Sequence, residues 1–172
     1  LYLHGATGSE QQGIRRLSAL ADEFGFLLLS PASEDGTWDA IRSGYGQDVR
    51  FIDRALSKVF AQRSVDPRKI AVCGFSDGAS YALGLGMSNG DLFRDVMAFS
   101  PGFVPSGAEK SGTPRIFISH GTKDEILPIE TCSRRLVPQF KRAGYDVKFQ
   151  EFDGPHAMPP EIVRGAIEWF LK

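Results

Sequence analysis

The sequence predicts an α/β fold: a three-layer α/β/α sandwich on a mainly parallel sheet. Three observations carry that expectation. Short, wholly apolar runs alternate along the chain with amphipathic stretches of helical period. The runs do not alternate apolar with polar, so each strand is buried on both faces, as in a parallel sheet covered by helices. Chemically able side chains follow the ends of several runs, and in such sheets ligands bind beyond the carboxyl ends of the strands.

The elements follow in order. Leu1-Tyr2-Leu3 reads as a buried strand running into a His4-Gly5-Ala6 turn. Ile14, Leu17, Leu20, Ala21 and Phe24 recur at helical spacing. Phe26 to Leu29 is a short apolar strand stopped by Ser30-Pro31, and residues 31–46 read as a loop rich in Gly, Ser and acidic side chains. From Gln47 to Arg63, Val49, Ile52, Leu56, Val59 and Phe60 form one helical stripe. Lys69 to Cys73 is the next strand, entered through Val65-Asp66-Pro67. A helix-compatible run, Ala79 to Met87, is followed by a strand near Val96 to Phe99 and a loop from Ser100 to Thr113. Arg115 to Ser119 is a strand. A helix covers roughly 130–143 and ends at Gly144, with Pro138 predicting a kink or a late start. Val147 to Phe152 is the last strand, and Pro159-Pro160 opens a final helix with Val163, Ala166, Ile167 and Phe170 on one face. Crossovers of one hand are expected to place helices on both sides of the sheet.

A chain of 172 residues supports one domain with a real core. Its start at Leu1, already inside a strand, reads as an N-terminally incomplete domain. A cytoplasmic location is expected, with a removed targeting segment left open. The formal net charge of −1, without a basic stripe, argues against nucleic-acid binding. No apolar run approaches the roughly 20 residues that span a bilayer. Cys73 and Cys132 do not suggest a disulfide framework and read as buried small hydrophobes. No cofactor or metal is expected. His4 and His120 read as structural residues at strand ends, and no histidine pair has helical ligand spacing. The oligomeric state is not legible.

Gly74-Phe75-Ser76-Asp77-Gly78 carries the most chemistry. A strand, a sharp turn with a central serine, then a helix is the context of a nucleophile elbow. A serine hydroxyl needs a neighbouring base to accept its proton, and His156 suits because imidazole titrates near neutrality. Asp124, after the 115–119 strand, is the candidate carboxylate for fixing the histidine tautomer. Asp153 competes, but lies too close to His156 along the chain to reach the far side of the ring. A tetrahedral intermediate also needs two backbone N–H donors. Asp77, directly after the serine, and Ala6, in the turn after the first strand, are the candidates. Trp38 and Met158 are candidate walls of a substrate pocket, with a packing role the alternative for Trp38.

These segments resemble the α/β-hydrolase superfamily, and within it the small bacterial esterases of the phospholipase/carboxylesterase and polyhydroxybutyrate-depolymerase-like groups. The matching stretches are Leu3-His4-Gly5, Gly74 to Gly78, His120-Gly121-Thr122-Lys123-Asp124 and Gly154-Pro155-His156. The resemblance implies nucleophile Ser76, acid Asp124, base His156 and oxyanion donors at Ala6 and Asp77. It also implies strands before the His-Gly turn, which are missing here. Phe26 to Leu29 would then be an open sheet edge. The expected activity is hydrolysis of a small-molecule carboxylic ester through an acyl-enzyme. A thioesterase or lysophospholipase, an acyltransferase, and a catalytically silent binding module are the alternatives.

Overall fold

Five apolar runs lie side by side, all parallel, in the computed structural model, which describes residues 1–172. They are β1 (Tyr2–Leu3), β2 (Ala71–Phe75), β3 (Asp95–Phe99), β4 (Arg115–Gly121) and β5 (Val147–Phe152), in the spatial order β1-β2-β3-β4-β5. The register is continuous: Leu3 lies beside Gly74, Gly74 beside Ala98, and Ala98 beside Ile118. β2, β3 and most of β4 are buried on both faces, which is why their runs carry no polar alternation. β5 is half exposed, and its Lys148 and Glu151 blunt the sheet edge.

Six helices cover the sheet: α1 (Glu10–Phe24), α2 (Asp39–Arg42), α3 (Gln47–Gln62), α4 (Asp77–Ser88), α5 (Ser133–Arg142) and α6 (Pro160–Leu171). Alternate strand residues feed two cores. Leu3, Val72, Val96, Ala98, Ile116 and Ile118 pack with α3, α4 and α5 on one face. Tyr2, Ala71, Cys73, Met97, Phe99 and Phe117 pack with Leu17 of α1 and the apolar face of α6 on the other. The three-layer sandwich is therefore as expected, but the route to it differs. A strand order that never reverses puts crossovers of one hand on a single face. The second layer comes from α1 and from α6, the helix after the last strand.

Several local expectations change. Phe26 to Leu29 is not a strand. It runs beside the two-residue β1 with one ladder-like bond, Tyr2 N–H to Leu29 C=O at 2.8 Å, too short a partner to build a ladder. β2 runs two residues later than read, because Gly74 and Phe75 still pair with β3. The 31–46 loop contains α2. α5 starts at Ser133, three residues late, and continues through Pro138. Ile14 and Phe60 are exposed rather than part of their stripes' buried faces. No helix is long and apolar enough to cross a membrane.

Candidate active site

Because all five strands are parallel, their carboxyl ends share one edge. Each candidate residue leaves that edge from a different strand. Ser76 follows β2 and caps α4, with φ 57° and ψ −121°. A side chain at such a φ costs about 1–3 kcal/mol and persists only where surroundings impose it. Here the imposition is visible. Ser76 N–H donates to Phe99 C=O at 2.9 Å, and Ser76 C=O receives the N–H groups of Ala79 and Ser80. The other two non-glycine residues with positive φ, Thr7 and Ser100, follow β1 and β3, so backbone strain is gathered along this same edge.

The elbow's glycines are required by close approach. A Cβ on Gly74 would lie 2.2 Å from Gly78 C=O, and one on Gly78 would lie 2.2 Å from Leu3 C=O and 2.4 Å from His4 C=O. Both obstacles are backbone and cannot rotate away. Gly78→Ala should therefore drive α4 away from the end of β1 and destabilise the fold by about 3 kcal/mol. Urea unfolding measures this, and a loss below about 1 kcal/mol would contradict it.

Asp124 and His156 are joined. His156 Nδ1 lies 2.6 Å from Asp124 Oδ2. The loops that carry them are locked by Thr122 N–H to Phe152 C=O at 2.8 Å and Lys123 N–H to Gly154 C=O at 2.9 Å. Asp124 Oδ1 accepts the N–H groups of Leu127 at 2.8 Å and Ile126 at 3.0 Å. Burial pushes this carboxyl up, but the Leu127 N–H, the His156 ring and the Ile126 N–H together hold it below the ordinary carboxylate value. As an anion Asp124 only accepts, so His156 carries its proton on Nδ1 and presents a free lone pair on Nε2. No hydrogen bond joins Ser76 Oγ to His156 in this structure. The imidazole is brought beside the elbow by Phe75, ring centroids 4.8 Å apart. Nucleophile–base bonds commonly tighten only when substrate is bound. Asp153, the rival acid, is 75% exposed and paired with Lys123 at 2.7 Å.

His120, read from the sequence as structural at a strand end, lies beside Asp124, a placement the sequence reading did not include. His120 is fully buried and its Nε2 lies 3.1 Å from Asp124 Oδ2 and 2.8 Å from Leu127 C=O. The carbonyl can only accept, so Nε2 bears the proton. Nδ1, 2.7 Å from Ser133 Oγ, then accepts the hydroxyl proton. Asp124 thus accepts three hydrogen bonds, and the His120 imidazole, whose N–H goes to Leu127 C=O, stands 3.1 Å from the same Oδ2. The signal available in sequence was the i, i+4 spacing across a turn, which no periodicity reveals.

Burial first, and His156 in part, hold His120 below its ordinary value of 6.5, against the raising effects of Leu127 and Asp124. The unfolded chain therefore binds this proton at higher pH than the folded one does. Stability should fall as pH drops below about 6.5, and fall further as pH passes through the lowered value of Asp124. Urea midpoints at pH 7, 6 and 5 measure the first decline, and midpoints below about pH 4 the second. His120→Gln should flatten the first part of that decline.

The candidate oxyanion turn follows β1. Gly8 N–H closes it onto Gly5 C=O at 3.0 Å, and Thr7 N–H donates to Gly36 C=O at 2.6 Å. Ala6 is exposed and its N–H makes no bond within the chain. Asp77, first residue of α4, has no intrahelical acceptor for its N–H. A Cβ on Gly5 would touch Ser76 Cβ at 3.3 Å, which sets this turn against the elbow. His4 holds it: Nε2 accepts Ser33 N–H at 3.0 Å, so Nδ1–H donates to Gly5 C=O at 2.8 Å.

Trp38 and Met158 do not wall a pocket, and Trp38 takes the packing role that was its alternative. Trp38 is 0% exposed, packed between His4 and Tyr81, with Nε1–H donating to His4 C=O at 2.8 Å. Met158 is buried in the core under α6. Neither reaches solvent enough to wall a pocket. The polar loop around Trp38 is consumed by internal bonds. Asp48 caps Asp39 and Glu34, while Asp39 receives Gly46, Asp48 and the Tyr81 hydroxyl. A cavity of about 550 Å³ lies at the opposite end of the strands, lined by Leu1, Leu28, Val59, Ile70 and Phe170, and touches none of Ser76, Asp124 and His156.

Residues 38–172 match the phospholipase/carboxylesterase family. Similar proteins include a probable feruloyl esterase C of Aspergillus clavatus, 29% identical over 59% of this chain and 36% of that one. Another is acyl-protein thioesterase 1 of Eremothecium gossypii, 26% identical over 75% of this chain and 57% of that one. The chain thus spans between about a third and three fifths of the length of these relatives. Solved structures that share the fold include the following two. Esterase PE8 has a TM-score of 0.79 at 20% identity, covering 99% of this chain and 89% of its own. A fluorophosphonate-binding serine hydrolase of Staphylococcus aureus has a TM-score of 0.80 at 16% identity, covering 99% and 82%.

Proposed function

The chain belongs to the phospholipase/carboxylesterase family, and from that premise we propose that it is a serine hydrolase of carboxylic esters. The observation that carries this reading is the 2.6 Å bond from His156 Nδ1 to Asp124 Oδ2, with His156 packed against Phe75, the residue before a strained serine. In the reaction, Ser76 Oγ attacks the ester carbonyl while His156 Nε2 takes its proton. The N–H groups of Ala6 and Asp77 receive the oxygen on which charge develops. His156 gives its proton to the departing alcohol, leaving the acyl group on Ser76. Water, activated by the same nitrogen, then releases the acid. Asp124, anionic and held by backbone, stabilises the imidazolium without taking its proton.

A fluorophosphonate probe tests the nucleophile. Intact-mass and peptide analysis should show one adduct, on Ser76, with loss of p-nitrophenyl acetate turnover in step with labelling. Labelling at another residue would sink the assignment. A thioester, the substrate class in the name of the Eremothecium relative, would pass through the same acyl-enzyme. Paired p-nitrophenyl and p-nitrothiophenyl acetates decide between the two.

A further inference from the structure

We propose that Arg16 recognises a carboxylate on the departing alcohol, so that this chain prefers esters of hydroxy acids. The inference rests on the serine-hydrolase reading of Ser76 and His156. α1 is fixed against the active edge at two points four residues apart on one helix face. Gln12 Oε1 accepts Gly5 N–H at 3.3 Å, in the turn set against Ser76. One helical turn on, the Arg16 guanidinium carbon lies 5.4 Å from the centre of the Phe75 ring. That ring also packs against His156, centroids 4.8 Å apart. A cation is thus held one aromatic ring away from the imidazole that hands its proton to the leaving group.

Arg16 is exposed, and it makes neither an ion pair with any carboxylate nor a hydrogen bond. Other surface arginines are also unpaired. Arg16 differs in its seat on the ring that carries His156. A guanidinium resting on an aromatic face keeps its N–H donors in its own plane, free to grip a carboxylate with two parallel bonds. The opposite flank of the serine has the other charge. Asp77 carries a carboxylate there, with Oδ2 accepting the Thr37 hydroxyl at 2.6 Å. An anionic substrate is therefore repelled on the α2 side and drawn to the α1 side, which fixes which end of the ester meets His156.

The test uses two acetyl esters of one phenol. 4-Acetoxybenzoate and 4-acetoxybenzamide share the acyl group and ring and differ in charge, and their para substituent lies a ring's length from the scissile oxygen. In each turnover the acetyl–oxygen bond breaks, the acetyl passes to Ser76, and the phenol leaves with the proton from His156. The full chain should favour the benzoate in kcat/KM. Arg16→Gln should lower the benzoate:benzamide ratio about tenfold, mostly through KM, while benzamide turnover stays within about twofold. Arg16→Lys should retain part of the preference and Arg16→Glu should reverse it. A ratio untouched by Arg16→Gln overturns the assignment of Arg16 alone. Failure of the parent chain to turn over either ester overturns the serine-hydrolase reading and this inference with it.

Discussion

Ser76→Ala should lower kcat for p-nitrophenyl acetate by about 10⁴-fold or more, because the acyl-enzyme can no longer form and only binding and the oxyanion donors still act. The substitution removes only the hydroxyl. Alanine keeps the Cβ, so the backbone strain at φ 57° is retained and the fold is unchanged. A second replacement separates chemistry from conformation. Ser76→Gly is equally inactive, but it relieves a Cβ in a sparsely allowed region. It should unfold at higher urea than Ser76→Ala, by about 1 kcal/mol after the cost of freeing a glycine in the unfolded chain. The comparison is read from urea midpoints together with steady-state rates. Residual turnover within tenfold of the parent would exclude Ser76 as nucleophile. Equal stability of the two variants would mean that the elbow stores no strain at this residue. The two outcomes are independent because the hydroxyl and the Cβ are separate: the proposed mechanism uses only the first, and only the second resists the turn.

What was legible in the chain follows from which forces act locally. Ile116-Phe117-Ile118 and Val96 to Phe99 announced strands because both faces are buried, and burial on both faces leaves a continuous apolar run. Phe26 to Leu29 has the same composition, yet forms no strand. Composition records a wish to leave water, whereas a strand needs a partner, and β1 offers only two residues beside it. Trp38 shows the reverse failure. Its neighbours are polar, so the segment read as a solvated loop. Those polar groups are spent on one another, through Asp39, Asp48 and Tyr81, and the loop seals the indole in the core. The order of Ser76, Asp124 and His156 along the chain was readable because a parallel sheet sends every strand end to one edge. His120 was read as structural at a strand end. Its approach to Asp124 depends on how the chain turns after β4, which spacing alone does not report.

Asp124→Asn is expected to lower kcat by about 10⁴-fold while leaving KM within about threefold. The reason lies in which oxygen serves which donors. Oδ1 accepts two backbone N–H groups, from Ile126 and Leu127, and those donors cannot change sign. The asparagine oxygen must therefore take the Oδ1 place, and its NH₂ the Oδ2 place. There it faces His156 Nδ1 and His120 Nε2, both proton-bearing when the carboxylate is present. His120 keeps its proton, because Leu127 C=O still accepts it and the Ser133 hydroxyl still donates to the other nitrogen. His156 has no such second anchor. It relieves the clash by moving its proton to Nε2, the nitrogen that should receive the serine proton. The site is then intact in shape and unable to act as a base. Asp124→Ala removes both oxygens and leaves the Ile126 and Leu127 donors unpaired, so it should cost stability as well as rate. If Asp124→Asn retained more than a tenth of the parent rate, the second imidazole would not matter and His156 would be oriented by something other than Asp124. Fluorophosphonate labelling of Ser76 should slow in parallel, since that reaction needs the same proton acceptor.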